Sequence, residues 1–223
     1  YELVNIEETL LNALERNSSF EGRIYLKPED FDVYEAIHQA KLCVGLIVDE
    51  SGSMIGSKVN AAIESSLVLS ELIRREPKDS LKVFLFSNQV REISWWDILN
   101  VSFNKGTTDI RAAMYAFRRA VRGEKGDKQA YLITDAEPNT ENGKYIGFNK
   151  AIWGVLEEAL RYRQEGITLN IIMLDQTTHL QEFANILAKK NAGRIFFAPP
   201  QNLGGVIIKD YLTVKKRKMK SYP

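Results

Sequence analysis

Four apolar runs that do not alternate constrain this chain most: "LCVGLIV" (42–48), "LKVFLF" (81–86), "AYLIT" (130–134) and "LNIIML" (169–174). A strand with one wet face alternates apolar and polar residues. A continuous β-branched and aromatic run is what a strand needs when helices cover both faces of its sheet. A fifth, shorter run, "RIFFA" (194–198), stops at Pro199 and Pro200. Amphipathic stretches separate the runs. Residues 58–75 place Val59, Ile63 and Leu67 at helical spacing, and residues 109–121 do the same with Ile110, Met114, Phe117 and Val121. Residues 149–166 carry Ile152, Val155, Leu156 and Leu160 before Gly166, and residues 180–193 also close on a glycine. Strand alternating with helix predicts an α/β fold: a doubly wound, mostly parallel central sheet flanked by helices, with right-handed crossovers. "NQVREISWW" is expected to return as a short antiparallel edge strand.

The 223 residues suit one domain with a substantial core. We place it at 41–212, with a helical then extended flank at 1–40 packed on the core and a basic tail at 213–223. Thirty basic residues against 29 acidic ones leave a net charge of +1, so nothing demands nucleic acid or another polyanion as partner. The lone Cys43 lies inside an apolar run and reads as a small core residue; a chain without disulfides fits a reducing, cytoplasmic setting. No signal-peptide pattern and no apolar run near 18 residues occurs, so no membrane span is expected. The chain opens on Tyr1 rather than on methionine, as expected of either a fragment or a trimmed product.

In an open parallel sheet, ligands gather beyond the carboxyl ends of the strands, where the strand order reverses. The residues just past each run are therefore informative. The first run leads into Asp49-Glu50-Ser51-Gly52-Ser53, the third into Asp135, and "NKGTTDI" (104–110) stands between the second and third. Alternate residues of an extended turn point the same way, so Asp49, Ser51 and Ser53 can converge, with Gly52 allowing a tight bend. All these donors are oxygens. Such a set suits Mg2+ or Mn2+, whereas zinc prefers nitrogen and sulfur. Hydroxyl ligands are neutral, so the ion would keep enough charge to seek one more anionic oxygen from outside.

"DESGSM", "GTTDI" and "LITDAEP", in this order and at strand ends, resemble the von Willebrand factor A (vWA) domain over residues 41–210. The resemblance implies a Rossmann-like fold and a metal-ion-dependent adhesion site. It implies Asp49, Ser51, Ser53, Thr108 and Asp135 as metal ligands, with Thr107 the alternate to Thr108, and Mg2+ (or Mn2+) as cofactor. Ala136 stands where many members have glycine. Glu50, Met54, Thr107, Asp109 and Glu137 are the expected partner-binding rim. Residues 158–212 resemble stand-alone prokaryotic vWA proteins related to chelatase D subunits. That implies a cytoplasmic protein whose partner supplies an Asp or Glu, and which works beside a MoxR-type AAA+ ATPase.

Simpler roles exist for each residue. Asp and Ser at strand ends cap helices and close turns, and flanking acids are commonly solvated. His38 and His179 show no partner in sequence, and the basic run at 214–220 reads as a solvated helix end. The rival function is a metal-dependent phosphotransfer enzyme or hydrolase, such as a phosphatase of the haloacid-dehalogenase kind. That chemistry wants a second Asp two residues after the first, where this chain has Ser51. The G-x-S-x-G elbow and the G-x-x-x-x-G-K-[ST] phosphate loop are also missing.

Overall fold

The computed structural model describes residues 41–76, 78–100, 106–175, 177–191 and 193–220, with short pieces of the first forty (3–4, 9–10, 12–13, 16, 25–31 and 33–34). The chain divides into two units, one within residues 1–39 and one from 40 to 221. Most of the expected N-terminal flank lies outside the described residues, as do His38, Asn104 and Lys105. Within the first unit, Leu3–Val4 pairs antiparallel with Val33–Tyr34, and the Arg16 guanidinium grips the Asp30 carboxylate through Nε and Nη2. That grip holds the Asp30 carboxyl down at about 2.

The second unit runs β1 (Leu42–Asp49), α1 (Ser57–Arg74), β2 (Ser80–Phe86), β3 (Val90–Ile93), α2 (Ile110–Ala120), β4 (Asp127–Thr134), β5 (Thr140–Glu141), β6 (Lys144–Tyr145), α3 (Phe148–Gln164), β7 (Ile167–Met173), α4 (Thr178–Asn191), β8 (Arg194–Phe197) and α5 (Leu203–Lys220). Six strands form one sheet in the order β8-β7-β4-β1-β2-β3. All neighbours are parallel except β3, which turns back antiparallel on β2 with Val83 opposite Ile93. The mostly parallel sheet and its single antiparallel edge match the expected fold.

Every residue of β1 is buried, which explains its unbroken apolar run. Cys43 and Ile47 face a core built with Met114 and Phe117 of α2, Tyr162 of α3 and Phe183 of α4. Leu42, Val44, Leu46 and Val48 face the other, with Leu69 of α1 and Ile207 and Tyr211 of α5. Each fully buried aliphatic side chain contributes about 1.5–3 kcal/mol. Gly45 sits between these residues because a Cβ there would stand 2.3 Å from the Phe117 ring. Trp95 packs half-buried on the α1 side, while Trp96 is exposed. The basic stretch from 213 to 220 continues α5 as helix.

β1 has β2 on one side and β4 on the other, so the chain reverses its direction of travel across the sheet at β1. The crevice outside the carboxyl ends of β1 and β4 is where a ligand site is expected on such a sheet. Asp49 ends β1, and Asp135 directly follows β4.

Candidate metal centre

Asp49 is fully buried at the tip of β1. Its Oδ1 accepts the Ser51 N–H at 2.7 Å, and its Oδ2 accepts the Thr134 hydroxyl at 2.5 Å. Burial pushes this carboxyl up to about 6, against the pull of those hydrogen bonds. Beyond Ser51 the backbone winds one 3-10 turn, Gly52–Met54, closed by the Met54 N–H on the Ser51 carbonyl. This brings the Ser51 and Ser53 hydroxyls to 3.1 Å from each other. Ser53 then donates to Asp135 Oδ1 at 2.6 Å. A single chain of hydrogen bonds thus joins the tips of β1 and β4.

The 106–109 segment forms the third wall. The Gly52 N–H reaches the Gly106 carbonyl at 3.5 Å, and the Asp109 N–H donates to the Ser87 carbonyl at 2.9 Å. Thr108 is buried; its N–H donates to Asn139 Oδ1 at 2.9 Å, and its carbonyl accepts the N–H groups of Asn139 and Thr140. Among the described residues no hydrogen bond joins Thr108 to the other four expected ligands.

The expected rim is largely turned inward. Glu50 is buried and paired with Arg91 of β3 at 2.6 Å. Met54 is fully buried in the core on the α1 side. Asp109 is the N-cap of α2, with Oδ1 accepting the Ala112 N–H at 3.0 Å, and is buried as well. Each of the three is satisfied internally, so none stands at the rim. Thr107 and Glu137 are half-buried at the surface, and Ile55 is exposed beside Met54. Glu137 pairs with His179, whose ring meets Phe148 edge-on at 5.2 Å. That gives His179 the partner its sequence context hides. The pair lines a cleft of about 550 Å3 beside Asp135, with Pro138, Tyr145 and Leu180.

Three residues of this centre escape a reading of the sequence: Thr134, Asn139 and Lys58. The Lys58 ammonium donates to Asp135 Oδ2 at 2.5 Å. Thr134 is the last residue of an apolar run, where a hydroxyl on a buried strand is itself a signal. Asn139 has only its place after "TDAEP" to mark it.

The donors fit a hard divalent ion. They are carboxylate and hydroxyl oxygens without nitrogen or sulfur. An octahedral ion with bonds of about 2.0–2.1 Å sets neighbouring ligands about 2.9 Å apart. The 3.1 Å between the serine hydroxyls and the 2.6 Å from Ser53 to Asp135 bracket that spacing.

An α/β sheet with this switch-point cluster defines the architecture of a vWA domain. The chain belongs to that family: residues 42–212 match the Rv0959-like protein vWA domain. Domains of this family generally serve protein–protein interaction rather than catalysis. The chain is 23% identical over 229 residues to the uncharacterized protein Rv0959 of Mycobacterium tuberculosis. It matches the uncharacterized protein Mb0984 of Mycobacterium bovis to the same degree. The match covers 96% of this chain and 34% of either relative, so the chain spans about a third of the length of the curated relatives it matches. Among solved structures, a D319A mutant of the PilB minor pilin from Streptococcus sanguinis superposes with TM-score 0.71 at 13% identity, over 83% of this chain and 64% of that one. The vWF domain of the type V pili tip protein Mfa5 from Porphyromonas gingivalis gives 0.69 at 12% identity, over 83% and 98%. BatB from Bacteroides thetaiotaomicron gives 0.61 at 14%, over 79% and 99%. These likenesses show the shared fold. No helix among the described residues is long and apolar enough to cross a membrane.

Proposed function

We propose that this domain is a metal-dependent protein-binding module. Asp49, Ser51, Ser53, Thr108 and Asp135 would hold Mg2+ (or Mn2+), and a partner's Asp or Glu carboxylate would complete the coordination. The observation that carries this reading is the hydrogen-bonded chain from Asp49 through Ser51 and Ser53 to Asp135, which gathers oxygen donors from two strand ends. An ion held there would take part of its coordination from neutral hydroxyls, and would so keep an attraction for one more anionic oxygen. The protein's part is to fix the ligands: Thr134 and the Ser51 amide orient Asp49, and Asn139 fixes the backbone of Thr108. A phosphotransfer role for Asp49 is disfavoured, since both its oxygens accept hydrogen bonds and position 51 is serine. The C-terminal resemblance to chelatase-related proteins supports a cytoplasmic adaptor to a MoxR-type AAA+ ATPase as the setting.

Calorimetric titration of Mg2+ and Mn2+ tests the reading. The native chain should bind, Asp49→Ala and Ser51→Ala should not, and an acidic peptide should bind only the metal-loaded native chain. Equal heats from all three proteins would refute a metal centre here.

A further inference from the structure

Lys58 occupies a place that its own helix disfavours. It lies in the first turn of α1, where the helix N-terminus is already positive and acids rather than cations are stabilised. Gly56, at φ +95°, aims that turn; side-chain-bearing residues rarely adopt this conformation. The compensation is Asp135, whose carboxylate is almost wholly buried at 1% exposure, while the lysine side chain stays 26% exposed. With the Ser53 hydroxyl on Oδ1 and the Lys58 ammonium on Oδ2, both oxygens of Asp135 are engaged and its charge is balanced.

We infer that Lys58 is the resident counter-ion of Asp135, and that its ammonium and a divalent cation are alternative occupants of this carboxylate. The inference rests on the metal reading above. An ion at the serine hydroxyls needs the negative charge of Asp135. With Lys58 in place that charge is spent, and an ammonium and a dication would have to share one carboxylate that is itself almost wholly buried. Release is available to Lys58, because its flexible stem reaches the surface. Metal binding therefore costs the breaking of a largely buried ion pair. The lysine sets a threshold metal concentration below which the centre stays closed on itself. A lysine that served only to brace the loop would act in the opposite sense, since its loss would loosen Asp135 and weaken the metal.

The test is calorimetric Mn2+ titration of the whole chain as native, Lys58→Gln and Lys58→Arg, with thermal melts in chelator. Lys58→Met, which keeps the apolar stem, is the second neutral variant should Lys58→Gln not melt cooperatively. The neutral variants should bind Mn2+ at least about tenfold more tightly than the native chain. They should also melt lower in chelator, where a buried carboxylate has lost its partner. Lys58→Arg, which keeps the charge, should stay close to native. Binding by a neutral variant alone would support the same conclusion in a stronger form. Neutral variants that bind no more tightly than a binding-competent native chain overturn the role of Lys58 and leave the metal reading intact. Absence of binding in every cooperatively melting chain overturns both.

Discussion

Gly45 is set by its neighbour across the core. Phe117 of α2 lies where a Cβ at Gly45 would be, and its ring also meets Phe84 edge-on at 6.2 Å. Gly45→Val should therefore destabilise the domain by about 1–3 kcal/mol, read from urea unfolding midpoints, although valine is the better strand former. Single-residue features of this kind are poorly legible in the sequence. Asp49, Ser51, Ser53 and Asp135 can be picked out because oxygen donors interrupt apolar runs. Lys58 cannot, because a lysine in an amphipathic stretch looks like any solvated helix residue until the turn at Gly56 aims it. Glu50 and Asp109 look exposed for a similar reason: the sequence does not display Arg91, or the backbone amide that Asp109 caps.

At the scale of elements, the buried strands are legible because their burial on both faces removes alternation. β3 is legible from its polar turn and short length. The β5–β6 hairpin escapes a reading of the sequence, although Asn142 and Gly143 supply the Asn-Gly turn that such hairpins favour, at φ 51° and 75°. With two residues per strand, it offers no periodicity to read. The polar contacts that tie β4 to α5 are equally hidden. Gln129 and Tyr131 each donate to Asp210 Oδ2 at 2.9 Å, and Arg194 of β8 closes the group. Burial, then the Asp210 charge, pushes the Tyr131 phenol well above its ordinary 10.0. The folded state thus holds this proton more firmly than the unfolded chain does. The resulting stability is complete below pH 10 and is lost as pH rises beyond it. Tyr131→Phe should remove part of that alkaline loss. Urea midpoints measured between about pH 9 and 11 should fall less steeply than in the native chain. Below that range the variant should be weaker by about 1 kcal/mol, for the lost hydrogen bonds.

At the scale of the whole molecule, any ligand that binds only the folded state adds stability by mass action. Mg2+ at about a hundred times its dissociation constant should add about 2.7 kcal/mol. For a chain of this length that corresponds to about 5–10 °C in melting temperature. Chelator should reverse the gain, and Asp49→Ala should show none. A native melt that ignores Mg2+ across the millimolar range would count against the centre.

The hydrogen bond from Thr134 to Asp49 joins residues 85 positions apart. Closing so long a span costs chain entropy that is offset only once β1 and β4 pair. During folding, helices can form and β1 can pair with β2 well before β4 arrives on its other side. The hydrogen bonds that run from Asp49 to Asp135 therefore exist only in chains whose β4 has docked on β1, and a partner that bound there would pass over chains in which it has not.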